Sequence, residues 1–380
     1  DRKIDIPVDQ KNRENENLVI KIDFSSGKVD LENFPYSTWR KLTIESIYED
    51  QGELFYTGDP QGEQPLREEI ANYLYESRGA RCSADQIVIG AGTQILMVLL
   101  CLIIGKEYEY AMEDPGFHRT RAVLTDQSVE IVPIPLDQDG ISINSLKASH
   151  AKVVYVTPSH QFPYGMVMPV SRRLELLKWA EDADGFIIED DYDGEYRYKG
   201  KPIPSLQGLD KNDRVIYLGT FSKSLIPSIR ISYLVLPRQL INKYHQHFTV
   251  YKQTVSRLHQ DTLFRFMSQA HWERHLNKMR TLYRKKQTVL LASIENYMRS
   301  KVTIIGERAG LHILIKVDNG MSEKELVITA LTKGIKVYPV SIYYNNATNA
   351  PNSLILLGFG GLTIGEIEEG IRELKKAWNM

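Results

Sequence analysis

Lys223 lies in the stretch Tyr217-Leu218-Gly219-Thr220-Phe221-Ser222-Lys223-Ser224-Leu225-Ile226-Pro227-Ser228-Ile229-Arg230, just after a short apolar run over 215–218. The glycine and hydroxyl residues that follow stop this run before a helix can form, so the pattern presents the amine at a strand end. Serine and threonine hydroxyls beside it, with Arg230 seven residues on, could grip a phosphate dianion. Nearby cations would then hold the lysine's pKa down by like-charge repulsion. A neutral amine can form a Schiff base with an aldehyde. A lone lysine in a polar loop is normally just solvated, so the chemistry depends on what other segments bring to it.

Several other apolar runs end in clusters of the same kind. Ile87-Val88-Ile89 runs into Gly90-Ala91-Gly92-Thr93-Gln94, where an apolar helix begins. Backbone N–H groups and a helix dipole make such a turn an anion site. Tyr110-Ala111-Met112 leads to Glu113-Asp114-Pro115-Gly116-Phe117-His118-Arg119, and the run over 153–157 leads to Pro158-Ser159-His160-Gln161-Phe162-Pro163-Tyr164-Gly165. Gly185-Phe186-Ile187-Ile188 ends in Glu189-Asp190-Asp191-Tyr192-Asp193. Strands alternating with helices, one of them predicted over 171–182, indicate a mostly parallel sheet, in which ligands sit at the carboxyl ends of the strands.

The clusters supply complementary parts of one site. Lys223 would be the Schiff-base lysine, while Gly92, Thr93, Ser222 and Arg230 would hold a phosphate. Phe117 could cover a flat ring. One carboxylate of the acidic run could keep a pyridine nitrogen protonated, and Tyr192 could donate to the ring oxygen. That combination is pyridoxal 5′-phosphate chemistry. Competing chemistries lack their residues: His245 and His247 face different ways on a helix, so a metal site is not expected there, and there is no G-x-S-x-G elbow.

Bulk properties narrow the setting. At 380 residues the chain is long for a single core, which suggests two subdomains. Its 47 basic and 48 acidic residues give a net charge of −1, so no global field favours nucleic acid or an anionic membrane. Cys82 and Cys101 are the only cysteines, too few for a disulfide framework, which suits a reducing cytoplasm. The longest apolar run, 95–104, is too short to span a bilayer. The polar opening through Asn17, without an initiator methionine, reads as a linker cut from something longer.

Over about residues 20–380 the chain resembles the fold-type I pyridoxal-phosphate-dependent aminotransferases, most closely the aminotransferase-like domain of MocR-family regulators, the GabR-like branch of the GntR superfamily. The matching phrases are Phe34-Pro35 with Trp39-Arg40, 56–62, Gly90-Ala91-Gly92-Thr93-Gln94, Thr157-Pro158-Ser159-His160-Gln161-Phe162-Pro163, Glu189-Asp190-Asp191-Tyr192-Asp193 and Thr220-Phe221-Ser222-Lys223-Ser224. The resemblance implies that Lys223 carries the internal aldimine, Asp190 partners the pyridine nitrogen, Tyr192 meets the ring oxygen and Arg230 the phosphate, with Gln94 beside the glycine turn. It implies further that Tyr56 reaches the phosphate of a partner subunit, hence a homodimer. In that family a winged helix-turn-helix precedes this domain, and any DNA binding would belong there.

The implied domain plan is a linker remnant over 1–19, an arm over 20–50, a large α/β domain with a mostly parallel sheet over 51–255, and a smaller α+β domain over 256–380. The pattern also departs from active aminotransferases. Phe162 stands where an asparagine usually bonds the ring oxygen, and Leu354-Ile355-Leu356-Leu357 occupies a region that often carries a carboxylate-binding arginine. Ile342 neighbours the position of another arginine of GabR-like sequences, leaving Arg119 as the candidate carboxylate clamp. Losing a bidentate arginine weakens orientation and hence turnover more than it weakens external aldimine formation. The leading expectation is therefore a cytoplasmic sensor of an amino acid, such as D- or L-alanine rather than GABA, with pyridoxal phosphate itself a further candidate effector. A working class I/II aminotransferase and a cofactor-free dimerisation module are the alternatives.

Overall fold

The computed structural model describes residues 19–49, 52–200 and 203–380, so the expected linker, apart from Val19 of its range, lies outside the described residues. The strand β1 (Ile22–Asp23) and helix α1 (Tyr36–Glu49) are followed by α2 (Gln64–Arg78), β2 (Ile87–Gly90), α3 (Thr93–Ile104), β3 (Tyr110–Asp114) and α4 (His118–Asp126). Next come β4 (Ile131–Asp137), β5 (Gly140–Ile141), α5 (Ile143–Ala148), β6 (Val153–Val156), α6 (Val170–Asp182), β7 (Phe186–Asp191), α7 (Leu206–Leu209), β8 (Val215–Thr220) and β9 (Ser232–Val235). The C-terminal part contains α8 (Arg238–His247), α9 (Arg257–Ser268), α10 (His271–Met298), β10 (Val302–Ile305), β11 (His312–Val317), α11 (Glu323–Thr332), β12 (Ile335–Lys336), β13 (Tyr338–Pro339), β14 (Leu354–Gly358) and α12 (Ile364–Ala377).

The large sheet has the order β2-β9-β8-β7-β6-β3-β4-β5. Its central pairs, from β8 across to β4, are parallel, while β9 runs antiparallel to both β8 and β2. The parallel strands read as nearly unbroken apolar runs because helices cover both faces. On one face Ile187 and Val154 pack with Leu176 and Trp179 of α6; on the other, Ile188, Tyr155 and Leu218 pack with Leu96, Met97 and Leu100 of α3. Side chains along β7 therefore alternate between two environments.

The smaller antiparallel sheet, β10-β11-β14-β13, packs against α10 and α12 through Ile313, Ile315, Ile355, Leu290 and Ile371. Helix α10 reaches both cores. Trp272 and Leu276 belong to the cluster around Phe221 and Tyr233, whereas Met279, Tyr283 and Leu290 belong to that of the smaller sheet. The N-terminal segment also divides: β1 pairs in parallel with β12, while Leu42 of α1 packs in the cluster that contains Phe266 of α9.

Two details differ from the sequence pattern. In sequence, Trp39, Leu42 and Ile47 read as a buried stripe on the helix after Pro35; on α1 that stripe narrows to Leu42, with Trp39 half-buried and Ile47 41% exposed, because the helix buries only one edge against α9. Residues 239–298 read in sequence as one long helical region, whereas the chain forms three helices there. The first break has a tertiary cause: Gln253 Nε2 donates to the carbonyls of Pro60 (3.2 Å) and Ile89 (3.1 Å), and Thr254 Oγ1 accepts from Ala91 N (2.9 Å). That segment secures the glycine turn after β2. The second break falls at Ala270, whose φ is +57°. Among the described residues no helix is long and apolar enough to cross a membrane.

Candidate functional site

The turn after β8 is anchored before its lysine is presented. Thr220 Oγ1 accepts from Ser222 N (3.2 Å), which ends the strand as a side-chain turn. Phe221 is buried edge-on against Trp272 (5.2 Å between centroids), and the carbonyl of Ser224 lies 3.0 Å from His275 Nε2 of α10. Between these anchors Lys223 is half-buried, and its Nζ donates to the Ser26 carbonyl in the loop after β1. Burial lowers the Lys223 pKa to about 8; Asp193 opposes the shift and Arg119 adds to it. The dominant cause is thus desolvation, and the cation involved is Arg119 rather than the Arg230 expected from the sequence.

Arg230 lies instead across the glycine turn. Its Nη2 donates to the Ala91 carbonyl (3.3 Å), and a Cβ on Gly92 would stand 1.9 Å from that same nitrogen. Gly92 also has φ +95°, so both its conformation and the approach of Arg230 require glycine. It opens α3, which no side chain among the described residues caps, so the first-turn N–H groups at Thr93 and Gln94 could bind an anion. Ser222 is half-buried on the Lys223 turn.

Along β7 the acidic run separates by face. Glu189 accepts from Leu206 N (2.8 Å) and Gln207 N (2.9 Å), with Arg173 Nη1 3.5 Å away. Asp191 accepts from Arg78 Nε (2.7 Å) and from the Tyr217 hydroxyl (2.7 Å). Asp190 points the other way and has no cationic partner among the described residues. Tyr155 donates its hydroxyl to Asp190 Oδ2, while Oδ1 is buried without a hydrogen bond. Asp191 Oδ1 is likewise unpartnered, but its carboxylate already carries the Arg78 charge. Burial pushes the Asp190 carboxyl up to about 7, against the pull of the Tyr155 hydroxyl and with the help of Asp191 and Asp193.

Tyr192 is buried, and its hydroxyl donates to the His160 carbonyl (2.8 Å) while lying 2.9 Å from His160 Nδ1. Its single proton is therefore committed within the protein, and donation to a ligand oxygen requires it to turn. Phe117 lies flat on Phe162, with centroids 4.1 Å apart and planes 5° apart, and meets Tyr192 edge-on at 4.9 Å. One face of Phe117 is thus covered by Phe162. Arg119 is exposed at the start of α4, close enough to influence both Lys223 and Tyr343. Ile342 is 45% exposed in the neighbouring turn, and its carbonyl accepts from Arg121 Nη2 (3.4 Å). Tyr56 is 70% exposed and has no hydrogen bond to these groups among the described residues.

Several participants were not singled out by the sequence pattern. His160 Nδ1 is 3.0 Å from Asp193 Oδ2, and the His160 and His312 rings are 4.7 Å apart. Burial and its neighbour His160 keep His312 neutral, with a pKa of about 3, and its Nε2 lies 3.0 Å from the Pro163 carbonyl. Glu113 accepts from Thr157 N (3.2 Å) and Oγ1 (2.8 Å), and burial pushes its carboxyl to about 7. Glu113, His160 and Asp193 stand within the strand-end clusters and were open to notice. His312 comes from the smaller sheet and Tyr343 from the turn between its strands β13 and β14, and neither carries a local signal.

A mostly parallel sheet with these groups gathered at its carboxyl edge is the architecture of an aminotransferase-type fold. The chain belongs to the aminotransferase class I and II family, whose model matches residues 19–373. It is 46% identical over 374 residues to the uncharacterized HTH-type transcriptional regulator YdeL of Bacillus subtilis (strain 168), covering 98% of this chain and 80% of that protein. It is 33% identical over 366 residues to the probable rhizopine catabolism regulatory protein MocR of Rhizobium meliloti, covering 94% and 72% of the two chains. Among solved structures, the multiple substrate aminotransferase from Thermococcus profundus matches with a TM-score of 0.84 at 25% identity, over 96% of this chain and 92% of that one. The relatives are thus MocR-type regulators built on an aminotransferase-like domain.

Proposed function

We propose that this chain is the effector-sensing and dimerisation part of a MocR-type regulator, holding pyridoxal 5′-phosphate at Lys223 and reading an amino acid by amine exchange there. Asp190 carries the proposal. A buried carboxylate with a free oxygen and no cation is costly unless a ligand brings a positively charged donor, and a protonated pyridine nitrogen is such a donor. The other groups fit the same ligand. Thr93 and Gln94 amides, Ser222 and Arg230 suit a phosphate, with Gly92 leaving room for the arginine. Phe117 offers its second face to the ring, and Tyr192 reaches the ring oxygen by releasing the His160 carbonyl. When bound, pyridoxal phosphate supplies an aldehyde on which amines exchange and a ring that withdraws electrons. Lys223, with its lowered pKa, gives up its proton more readily than an ordinary lysine for that exchange and accepts one when displaced.

Arg119 would take the effector carboxylate and Ile342 would bound the side-chain space, which suits a small amino acid. Phe162 and the buried, wholly apolar Leu354, Ile355, Leu356 and Leu357 favour sensing over turnover, since neither segment contributes the polar grip that orients a substrate for repeated chemistry. Exposed Ile44, Ile47, Tyr48, Phe55 and Tyr56 supply apolar surface for a homodimer in which Tyr56 meets the partner's phosphate site. DNA binding would lie in the part of those relatives outside the match.

The likeness to a multiple substrate aminotransferase favours a second reading, a working transaminase. Absorbance spectroscopy with an amino-acid screen separates the two. The sensor reading expects a visible band that Lys223→Ala abolishes and that one amino acid perturbs without sustained conversion. Multiple turnovers of amino acid and keto acid favour the enzyme, and no band in the wild-type chain overturns the cofactor assignment.

A further inference from the structure

We infer that Tyr155 is a positioning residue for the cofactor's ring nitrogen: its hydroxyl, backed by Thr120, holds Asp190 Oδ2 so that Oδ1 alone is presented to the ring. The inference rests on the cofactor reading above and assigns a role to a residue that the sequence marks only as strand core.

The geometry is specific. Tyr155 lies on β6 opposite Ile188 of β7, with its ring 1% exposed in the cluster formed with Met97, Leu100 and Leu218. Packing on all sides fixes the ring, so its hydroxyl is aimed by the core and not by a flexible loop. That hydroxyl donates to Asp190 Oδ2, and Thr120 Oγ1 of α4 donates to the tyrosine oxygen from behind (3.4 Å). A carboxylate otherwise turns easily about its last torsion and can offer either oxygen. With Oδ2 pinned, only Oδ1 is free.

The surrounding charges give the contact a second consequence. The titratable groups that bear on Asp190 are Tyr155 from β6, Glu113 from β3, and Asp191, Tyr192 and Asp193 of its own segment. None of these is a cation. Within this anionic setting the Tyr155 hydroxyl is the side-chain contact that favours the ionised form of Asp190. Removing it both frees the carboxylate to turn and favours its protonated form, which cannot serve as the anionic partner of a ring N–H.

The experiment measures the dissociation constant and absorbance band of pyridoxal phosphate for the wild-type chain, Tyr155→Phe and Thr120→Val across pH, with melting curves to establish folding. A hydrogen bond to a charged group supports an expected loss of about tenfold in Tyr155→Phe near neutral pH. The gap should narrow towards about pH 9, where Asp190 ionises without help, and the band should change its pH dependence in parallel. Thr120→Val should show a smaller loss in the same direction, and it carries the test if Tyr155→Phe does not fold. Affinity and pH dependence equal to wild type in the folded variants overturn the inference alone. A wild-type chain that takes up no pyridoxal phosphate overturns the cofactor reading and this inference together.

Discussion

The two faces of β7 treat neighbouring carboxylates in opposite ways. On one face Glu189 and Asp191 have arginines, Arg173 at 3.5 Å and Arg78 at 2.7 Å, that offset the cost of burial. On the other face Asp190 has a tyrosine hydroxyl on one oxygen and, among the described residues, no hydrogen-bond partner on the other. All three are almost fully buried, so solvent does not make the distinction. The difference teaches that charge compensation within the fold separates carboxylates that hold the sheet edge together from the one whose open oxygen the proposed cofactor would meet.

Removing Arg78 should break this comparison most severely. Arg78→Leu leaves Asp191 buried beside Tyr217 without its cation, and loss of one member of such a pair typically costs about 3–5 kcal/mol. Urea denaturation of the cofactor-free chain measures it, and a loss below about 1 kcal/mol would show that the pair is not structural. Asp190→Asn should act in the opposite direction. The Asp190 carboxyl sits at about 7 in the folded chain, above its ordinary 3.8, so the folded form binds the proton more tightly. Its contribution to stability is present at low pH and is lost as pH rises from about 4 to about 7. The asparagine variant escapes that loss and should be more stable near neutral pH by on the order of 4 kcal/mol, with the difference vanishing near pH 4. It should also fail to retain pyridoxal phosphate. Equal destabilisation by Asp190→Asn and Arg78→Leu would remove the distinction between the faces.

How much of this was legible in the sequence follows from where each contact originates. The parallel sheet and its strand-end clusters were readable because apolar runs, glycine turns and polar loops are local features. Lys223, Gly92, Asp190 and Tyr192 all lie in such loops or strand ends. The choice among Glu189, Asp190 and Asp191 was not available from the residues themselves, because it depends on Arg173 from α6 and Arg78 from α2. Likewise the lysine's lowered pKa comes first from burial, and its amine meets the Ser26 carbonyl, a contact across 197 residues that no local pattern encodes. The break in the helical region before α9 was hidden for the same reason, since Gln253 and Thr254 break it by bonding to residues far away in the chain.

Asp193 sharpens the comparison because it belongs to neither class. It is buried like the others, but its partner is the imidazole of His160, and its charge is also felt by Lys223. If that charge is available to the lysine, it favours the ammonium form and raises the Lys223 pKa, whereas Arg119 lowers it. Reaction of Lys223 with pyridoxal phosphate should therefore rise with pH through about 8. Asp193→Asn, which keeps a hydrogen-bonding side chain for His160, should move that midpoint down by roughly half a pH unit, and Arg119→Gln should move it up by a similar amount. Borohydride trapping of the lysine-bound cofactor as a function of pH reads the midpoint directly. A midpoint unmoved by Asp193→Asn would place Asp193 with Asp191, its charge spent on its own partner, and a wild-type midpoint near about 10.4 would show that Lys223 is not desolvated by the loop above it.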